Sequence, residues 1–265
     1  AAFKLYDTYG FPVELTQEMV EAEGKKVDIE GFHVALNAQK ERARSARSET
    51  ASMRAQDERL MQFKTPSSFV GYDTLDVTST VILITNEGIV TEETPFYAES
   101  GGQVSDQGII THHHDTYEVL DVVKLPNGQH LHVIEGFDGA LGDIVTLSVD
   151  EAVRKLTEKH HSVTHLVYHQ LRELVGDHVS QQGSYVSKDH MRFDFSSNQL
   201  LSDETLLAIE KNTNQNIQEA HPVKTTITSL EEAKSRGATA EFGEKYTGDV
   251  RMVDMGVTLD LCGGT

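Results

Sequence analysis

The chain has 265 residues, 38% of them hydrophobic and 25% charged, and its formal net charge is −19. Its length suggests about two domains. No apolar run approaches the ~20 residues that span a bilayer, so we expect a cytoplasmic protein without a membrane partner. The single cysteine excludes an intrachain disulfide framework. The acidic balance argues against a nucleic-acid partner. Two circumstances would weaken this argument: that the chain is an internal fragment, as its start without Met indicates, or that it handles only the end of a strand.

Residues 1–62 predict helices, because apolar side chains recur at helical spacing and Gly24 then provides a stop signal. Asp28 suits the N-cap of a second helix that runs toward Ala46. Residues 48–68 are rich in serine, threonine, glutamine and charge, and this composition predicts a linker.

Residues 63–149 change character and predict a small β-barrel. Residues 77–84 are β-branched and predict a strand. Residues 86–88 and 126–128 are turn signals, and the second lies between two strand-like runs, which is typical of a hairpin. The histidines at residues 112–114 could bind a metal, but an exposed hairpin tip is the simpler interpretation.

Residues 150–265 predict an α+β unit, which places the chain in the α+β class. Asp150 suits the N-cap of a long helix that ends before Gly176. The helix is indicated by apolar side chains that keep a three-to-four spacing: Val153, Leu156, Val163, Val167, Leu171 and Leu174. The expected later elements are a strand at residues 185–195, a helix at 203–220, a strand at 223–227, a helix at 229–236 and a strand at 250–255.

The long helix carries the pair His161 and His165. Two histidines at positions i and i+4 of a helix project about 40° apart, so both imidazoles can reach one metal ion. Thr164 would border the same site. Two partly exposed helix histidines explain the pair equally well, because the chain has 13 histidines. Ser162 stands where a zinc protease needs a glutamate, which argues against that class.

Cys262 is the single cysteine, and Gly263-Gly264-Thr265 follows it. A lone cysteine is often a small buried hydrophobe, but two histidines and a cysteine plus one more ligand form a recognised zinc set. The glycines would let the backbone turn tightly beside a metal or ligand. Residues 99–103, Glu-Ser-Gly-Gly-Gln, are a second glycine-rich loop that either approaches a ligand or forms an ordinary turn.

With these residues placed, the chain resembles the alanyl-tRNA synthetase family. Residues 3–12 are similar to the segment that follows the family's aminoacylation domain, and residues 94–103 to the glycine-rich motif of its editing region. Residues 161–166 and 261–265 resemble the two halves of its editing zinc site. Residues 242–246 resemble a further motif between them. These motifs run in the family's order from one end of the chain to the other.

The resemblance implies a helical segment at residues 1–62, a β-barrel at 63–149 and an α+β editing core at 150–265 with an antiparallel sheet and a long zinc-ligand helix. The intact enzyme would attach alanine to its tRNA with ATP and Mg²⁺, bound by a domain expected before Ala1. It would also hydrolyse seryl- or glycyl-tRNA(Ala) made in error. The partner would be the acceptor end of tRNA(Ala). The oligomeric state is left open.

Zinc would be held by His161, His165 and Cys262, with a fourth ligand expected after Thr265, so we expect weak or absent zinc in this chain. Thr164 and Gln181 match the family's active-site threonine and glutamine and are, with Cys262, the candidate catalytic residues. The candidate substrate-binding residues are Glu99, Gly101, Gly102, Gln103 and Lys245. Asp194 is a weaker candidate for the same site, and a structural salt bridge is the alternative for it and for Lys245.

The need for editing follows from the similar sizes of alanine and serine. A binding pocket rejects an added hydroxyl only weakly, so serine enters an alanine site, and a size sieve cannot then spare the smaller alanine. The editing site must recognise the serine hydroxyl, and Thr164 is the natural partner for it. This recognition does not explain the removal of glycine.

Three alternatives stay open. The first is a free-standing trans-editing deacylase, which would need only residues from about 69 onward. The second is a non-catalytic tRNA-binding module with a structural zinc. The third is a threonyl-type editing domain, against which the glycine-rich loop at residues 99–103 argues.

Overall fold

The computed structural model describes residues 2–9, 13–21, 24–35, 58–198, 200–239 and 248–265. The chain forms two compact units, Ala1–Phe63 and Lys64–Thr265. The predicted helix beyond residue 35 and the motif at residues 242–246 lie outside the described residues. No helix within the described ranges is both long and apolar enough to span a membrane.

The described part of the first unit is helical. It contains α1 (Ala2–Tyr9), α2 (Val13–Glu21), a helical stretch at residues 29–35 and α3 (Glu58–Gln62). The predicted N-cap is confirmed, because Asp28 Oδ1 accepts a hydrogen bond from the backbone N–H of Gly31 at 2.8 Å. The prediction of a linker over residues 48–68 is wrong at α3, where the buried Leu60 anchors a helical turn.

The second unit begins with an antiparallel sheet of seven strands in the order β6-β5-β9-β2-β3-β8-β7. A separate short parallel pair joins β1 to β4. The strands are β1 (Ser68–Phe69), β2 (Asp76–Ile84), β3 (Gly88–Thr91), β4 (Glu93–Thr94), β5 (Gly108–His112), β6 (Asp115–Val119), β7 (Asp121–Lys124), β8 (His130–Val133) and β9 (Ile144–Val149).

This sheet is nearly closed. Its two edge strands, β6 and β7, are separated in sequence by Leu120 alone, so the two edges meet. Apolar side chains fill the interior, among them Ile89, Phe96, Ile110 and Leu147, each fully buried. The predicted turn at residues 126–128 is confirmed, since it joins β7 to β8.

The rest of the second unit mixes helices with two small antiparallel sheets, β10-β11 and β12-β13-β14. The elements are α4 (Glu151–Val175), β10 (Ser180–Val186), β11 (Met191–Ser196), α5 (Asp203–Glu219), β12 (Lys224–Ser229), α6 (Leu230–Ser235), β13 (Asp249–Asp254) and β14 (Leu259–Leu261). The barrel and these elements belong to one compact unit, and the division predicted at residue 150 stays a prediction.

Local signals at the ends of α4 are confirmed. Asp150 caps its start by accepting a hydrogen bond from the N–H of Val153, and Gly176 follows its last residue. The single strand predicted at residues 185–195 is wrong, because Ser187 and His190 close a turn that splits the segment into the hairpin β10-β11. Strand β14 had no counterpart among the predicted elements.

Only part of the apolar stripe of α4 is buried: Leu171 is 2% exposed, and Val167 packs against the same core. Leu156 and Leu174 are each 43% exposed, although both belong to the apolar stripe. Along the first four turns the buried residues are instead polar: Arg154, Thr157, His161 and Thr164. A polar face can be buried at low cost only where each group has a hydrogen-bonding partner, and the barrel and the segment after β14 supply several of these partners.

Candidate metal centre

Three side chains from two distant parts of the chain form the candidate metal centre. His161 and His165 lie one turn apart on α4, and Cys262 directly follows β14. The donor atoms of the three residues all lie within 4.8 Å of one another. His161 Nε2 is 3.2 Å from Cys262 Sγ, and the two imidazole rings stack at a centroid distance of 5.2 Å. Since tetrahedral zinc holds nitrogen and sulfur at about 2.0–2.3 Å, this set of donors fits one such ion.

The second ring nitrogen of each histidine is also held. His161 Nδ1 lies 2.7 Å from Gln103 Oε1, and His165 Nδ1 lies 3.1 Å from Asp260 Oδ2. Thr258 donates its hydroxyl to the same Asp260 oxygen at 3.1 Å. A metal-binding histidine characteristically donates its other N–H to an oxygen that fixes the ring, and both histidines have such an oxygen.

The surroundings of Cys262 lower the pKa of its thiol, which favours binding of a cation. Burial alone would raise the pKa of the Cys262 thiol, but the hydrogen bonds from His161 and His165 outweigh it and lower that pKa to about 5. Burial would likewise lower the pKa of His165, yet Asp260 and Cys262 together raise it to about 10. The lowered pKa of Cys262 favours the thiolate, which is the form that binds metals.

The loop of Cys262, Gly263 and Gly264 is clamped by two side chains. Arg251 Nη1 donates to the carbonyl oxygens of Cys262 and Gly264, each at 3.0 Å. The Tyr72 hydroxyl donates to the Gly263 carbonyl at 2.6 Å, and the Arg251 guanidinium lies 4.3 Å above the Tyr72 ring. Three consecutive carbonyls are thus held, so the position of Cys262 is set before any ligand binds.

A cavity of about 610 Å³ opens beside this centre. The three donor residues and Thr164 line one part of it, and Gln181 lies on its wall from β10. Aromatic rings from the barrel side line another part: Phe69, Tyr72, Tyr97 and His130. The arrangement combines a polar centre with an apolar wall, as small-molecule sites commonly do.

A β-bulge and a helical threonine bring polar groups to this cavity. A β-bulge between Gln181 and Gly183 shifts the register of β10, and the consecutive residues Gln181 and Gln182 both line the cavity, whereas a regular strand would turn one of them away. Gln181 Nε2 donates to Ser184 Oγ at 3.2 Å. On α4, Thr164 donates its hydroxyl to the His160 carbonyl at 2.8 Å, which leaves the Thr164 oxygen as an acceptor.

The predicted substrate-binding loop divides into residues at the cavity and residues away from it. Gly101 and Gly102 line the cavity with φ angles of +59° and +85°. Gly102 also lies so close to Ser184 that a Cβ would stand 2.6 Å from the Ser184 carbonyl oxygen. Glu99 is exposed and Gln103 is fully buried. Neither belongs to the cavity wall, which gives no support for direct substrate contact by either side chain.

Known proteins similar to this chain align with essentially its whole length. A model of the class II (A) tRNA synthetases matches residues 1–153. The alanine–tRNA ligase of Acholeplasma laidlawii is 49% identical over 265 residues, which is 100% of this chain and 31% of that relative. Those of Halalkalibacterium halodurans and Geobacillus thermodenitrificans are 44% and 46% identical over 278 and 279 aligned residues, with 99% of this chain and 32% of each relative covered.

The chain belongs to the alanyl-tRNA synthetase family, in class II. It spans about a third of the length of these relatives. The matched family model ends at residue 153, two residues into α4, whereas the alignments with the ligases extend over His161, His165 and Cys262.

Lys245 and Asp194 are the remaining candidates from the sequence. Lys245 lies outside the described residues. Asp194 is on β11 and contacts Arg192, with 3.1 Å between the Asp194 carboxylate and the guanidinium, which is the salt-bridge alternative named for it. The histidines of the 112–114 run form a hairpin tip between β5 and β6, with His113 and His114 exposed but His112 buried against Asp143 and Phe137.

Sequence reasoning missed most of the residues that position the three donor side chains. Arg251, Tyr72 and Asp260 have no motif spacing that could have identified them. Arg154 did carry a signal, because it lies seven residues before His161 and on the same helix face. An arginine at that position of a buried face requires a partner, and the partner is Asp106 of the barrel.

Proposed function

We propose that this chain carries the editing site of an alanyl-tRNA synthetase and hydrolyses the ester of seryl- or glycyl-tRNA(Ala). The observation that carries the proposal is the convergence of His161, His165 and Cys262 at a cavity that Thr164 also lines. A metal-binding centre beside a hydroxyl acceptor suits the removal of a hydroxylated amino acid from an ester. The family membership supports tRNA as the substrate.

The size of the cavity suits an aminoacylated nucleoside. Its volume of about 610 Å³ falls within the range of about 300–1,000 Å³ of sites for small molecules, which leaves room for a nucleoside beside an amino acid. The aromatic wall formed by Phe69, Tyr97 and His130 suits the terminal base, because nucleobases stack on aromatic side chains. Lys124 is the one lysine or arginine among the described residues of the wall, and it suits a single phosphate.

Thr164 supplies the discrimination in this proposal. Its hydroxyl hydrogen is directed at the His160 carbonyl, so its oxygen is the acceptor that a serine hydroxyl can satisfy. Alanine offers no hydrogen to that buried oxygen, and a buried acceptor left without a donor costs about 1–3 kcal/mol. The serine ester is therefore favoured although alanine is smaller. The glycine ester lacks the hydroxyl and would be removed by a route that does not depend on Thr164.

His161, His165 and Cys262 would hold zinc, whose positive charge would orient the substrate amine or activate water. Gln181 would accept a hydrogen bond from the attacking water through its carboxamide oxygen, while its amide group stays on Ser184. ATP-dependent ligation of alanine, with Mg²⁺, would belong to the longer protein.

The test is ester hydrolysis measured with seryl-, glycyl- and alanyl-tRNA(Ala) in the presence of Zn²⁺. The protein with its own sequence should release serine faster than alanine. His165→Ala should lower serine release by more than about 100-fold, since loss of a group that merely supports a ligand already costs 10–100-fold. His114→Ala is the matched control, because His114 lies on an exposed turn and should have no effect.

Equal serine release by His165→Ala and His114→Ala would contradict the proposed site. Tight zinc binding without hydrolysis of any of the three esters would instead favour a tRNA-binding module with a structural zinc.

A further inference from the structure

Gln103 is the last residue of the glycine-rich loop at residues 99–103, and its side chain is completely buried at 0% exposure. Its carboxamide makes three hydrogen bonds. Oε1 accepts from His161 Nδ1 at 2.7 Å and from the backbone N–H of Thr265 at 3.1 Å. Nε2 donates to Thr265 Oγ1 at 2.7 Å. A fully buried polar side chain outside the cavity wall is not placed to contact substrate, so its bonds must serve the protein.

The orientation of this carboxamide follows from chemistry. The Thr265 backbone N–H can only donate, so the atom that faces it must be the Gln103 oxygen. The same oxygen faces His161 Nδ1, and an amide oxygen can only accept. His161 must therefore carry its proton on Nδ1. Nε2, which lies 3.2 Å from Cys262 Sγ, is therefore the nitrogen left for a cation that replaces this contact with sulfur.

Gln103 also joins the two halves of the metal centre. His161 is on α4, Thr265 is on the loop after Cys262, and Gln103 belongs to a loop of the barrel. The fit is close, because a Cβ on Gly264 would lie 2.9 Å from Gln103 Oε1 and would clash with the His161 ring. The Gln103 backbone is fixed as well, through a bridge to Val186 at the end of β10.

We propose that Gln103 is a positioning residue that fixes the Nδ1–H tautomer of His161 and holds it in register with the Cys262 loop, so that Nε2 is free for a divalent cation. This inference rests on the metal-binding part of the proposed function and is independent of the hydrolysis. It assigns the glycine-rich loop two tasks. Gly101 and Gly102 shape the cavity wall, while Gln103 organises the metal centre from behind it.

The test uses Gln103→Met, Gln103→Glu and the control Gln129→Met. Methionine has a similar length but offers His161 only a weakly accepting sulfur in place of the amide oxygen. Glutamate keeps a carbonyl oxygen and, when protonated, an O–H in place of the amide donor. Gln129 is as deeply buried as Gln103, at 2% exposure, and its Nε2 donates to the Thr65 carbonyl within the barrel. It therefore controls for the general cost of removing a buried carboxamide.

Zinc affinity is measured by competition with a chromophoric chelator. Gln103→Met should weaken zinc binding by about 10–100-fold, as expected for loss of a group that orients a ligand. Gln103→Glu should restore most of it, and Gln129→Met should leave it unchanged. Equal zinc affinity in Gln103→Met and the unaltered protein would overturn the proposal, as would equal losses in Gln103→Met and Gln129→Met.

A second readout does not need the metal. With ¹⁵N-labelled histidine, the Nδ1–H proton of His161 should give a slowly exchanging signal in the metal-free protein, because it is buried and bonded to Gln103. That signal should be lost in Gln103→Met and retained in Gln129→Met. If zinc binding to the unaltered protein is too weak to measure, this signal still decides the role of Gln103. Its persistence in Gln103→Met would contradict that role.

Discussion

Arg154 and Asp106 form a buried ion pair in which Arg154 Nε donates to Asp106 Oδ1 at 2.8 Å. The same guanidinium donates to the carbonyls of Gly71 and Pro95 at 2.7 and 2.9 Å. All three partners belong to the barrel, whereas Arg154 lies in the first turn of α4. Two helical turns separate Arg154 from His161, so this arginine fixes the helix that carries the two histidine donors against the barrel.

Arg154→Met should destabilise the protein by about 3–5 kcal/mol, because it leaves the Asp106 carboxylate buried without its cation. The free energy of unfolding in urea measures this loss. Arg172→Met is the matched control on the same helix, since Arg172 pairs with the largely exposed Asp177. An exposed pair contributes about 1 kcal/mol or less. Similar losses for the two variants would refute the special role of Arg154.

Gly264→Ala should disturb the metal centre, and Gly263→Ala should not. A Cβ on Gly264 would clash with the His161 ring, whereas nothing lies within 4 Å of a Cβ on Gly263. The two substitutions add the same methyl group at adjacent positions, so their effects on chain flexibility are alike. We expect a lower melting temperature and weaker zinc binding for Gly264→Ala alone. Equal behaviour of the two variants would mean that the loop accommodates the methyl group.

Arg251→Met should loosen the loop that carries Cys262. The substitution removes the donors to the carbonyls of Cys262 and Gly264, and each such hydrogen bond contributes about 0.5–1.5 kcal/mol. Hydrogen exchange at the Gly264 amide should then become at least about tenfold faster. Arg192→Met is the control, because Arg192 is an exposed arginine that contacts Asp194 on its own strand. Unchanged exchange in Arg251→Met would exclude the clamp.

His132 should make the protein sensitive to acid. It is fully buried between the Thr94 hydroxyl, at 2.7 Å, and the Ile89 carbonyl, at 3.1 Å. Burial lowers its pKa to about 3, although the bond to Ile89 opposes the shift. The unfolded chain, with a histidine pKa near 6.5, therefore binds this proton more readily. The contribution of neutral His132 to the free energy of unfolding is fully present above pH 6.5 and is lost as the pH falls from 6.5 toward 3.

Each pH unit within that window should remove at most about 1.4 kcal/mol. The measurement is the free energy of unfolding in urea at several pH values, for the protein and for His132→Gln. Glutamine can bond to both Thr94 and Ile89 but does not titrate, so the difference between the two pH profiles isolates His132. Parallel profiles between pH 6.5 and 4 would rule out a buried neutral histidine at this position.

Thr164→Val should separate the two editing substrates. Valine has the shape of threonine without the acceptor oxygen, so release of serine should fall by about 10–100-fold, equivalent to about 1–3 kcal/mol. Release of glycine should change little, because glycine has no hydroxyl to recognise. Thr157→Val is the control, since Thr157 is also buried on α4 and bonds its i−4 carbonyl at 3.0 Å, yet lies outside the cavity wall. Equal loss for both esters would contradict recognition by Thr164.

The sequence by itself determined the local elements and the chemical types at the site. Asp150 and Gly176 mark the ends of α4 because caps act within one turn. The spacing of His161 and His165 follows from helical geometry alone. The order of the motifs indicated the family, since each motif is a contiguous run of residues.

Tertiary structure alone decided which face of α4 is buried and what orients its histidines. Hydrophobic periodicity accounts for the burial of Leu171 but not for that of Arg154 and His161, which depends on partners that no local signal reveals. Asp106 is 48 residues from Arg154, Gln103 is 58 residues from His161, and Cys262 is 101 residues from it. The burial of a polar group is favourable only when a specific partner meets it, and the fold brings those partners together from distant parts of the chain.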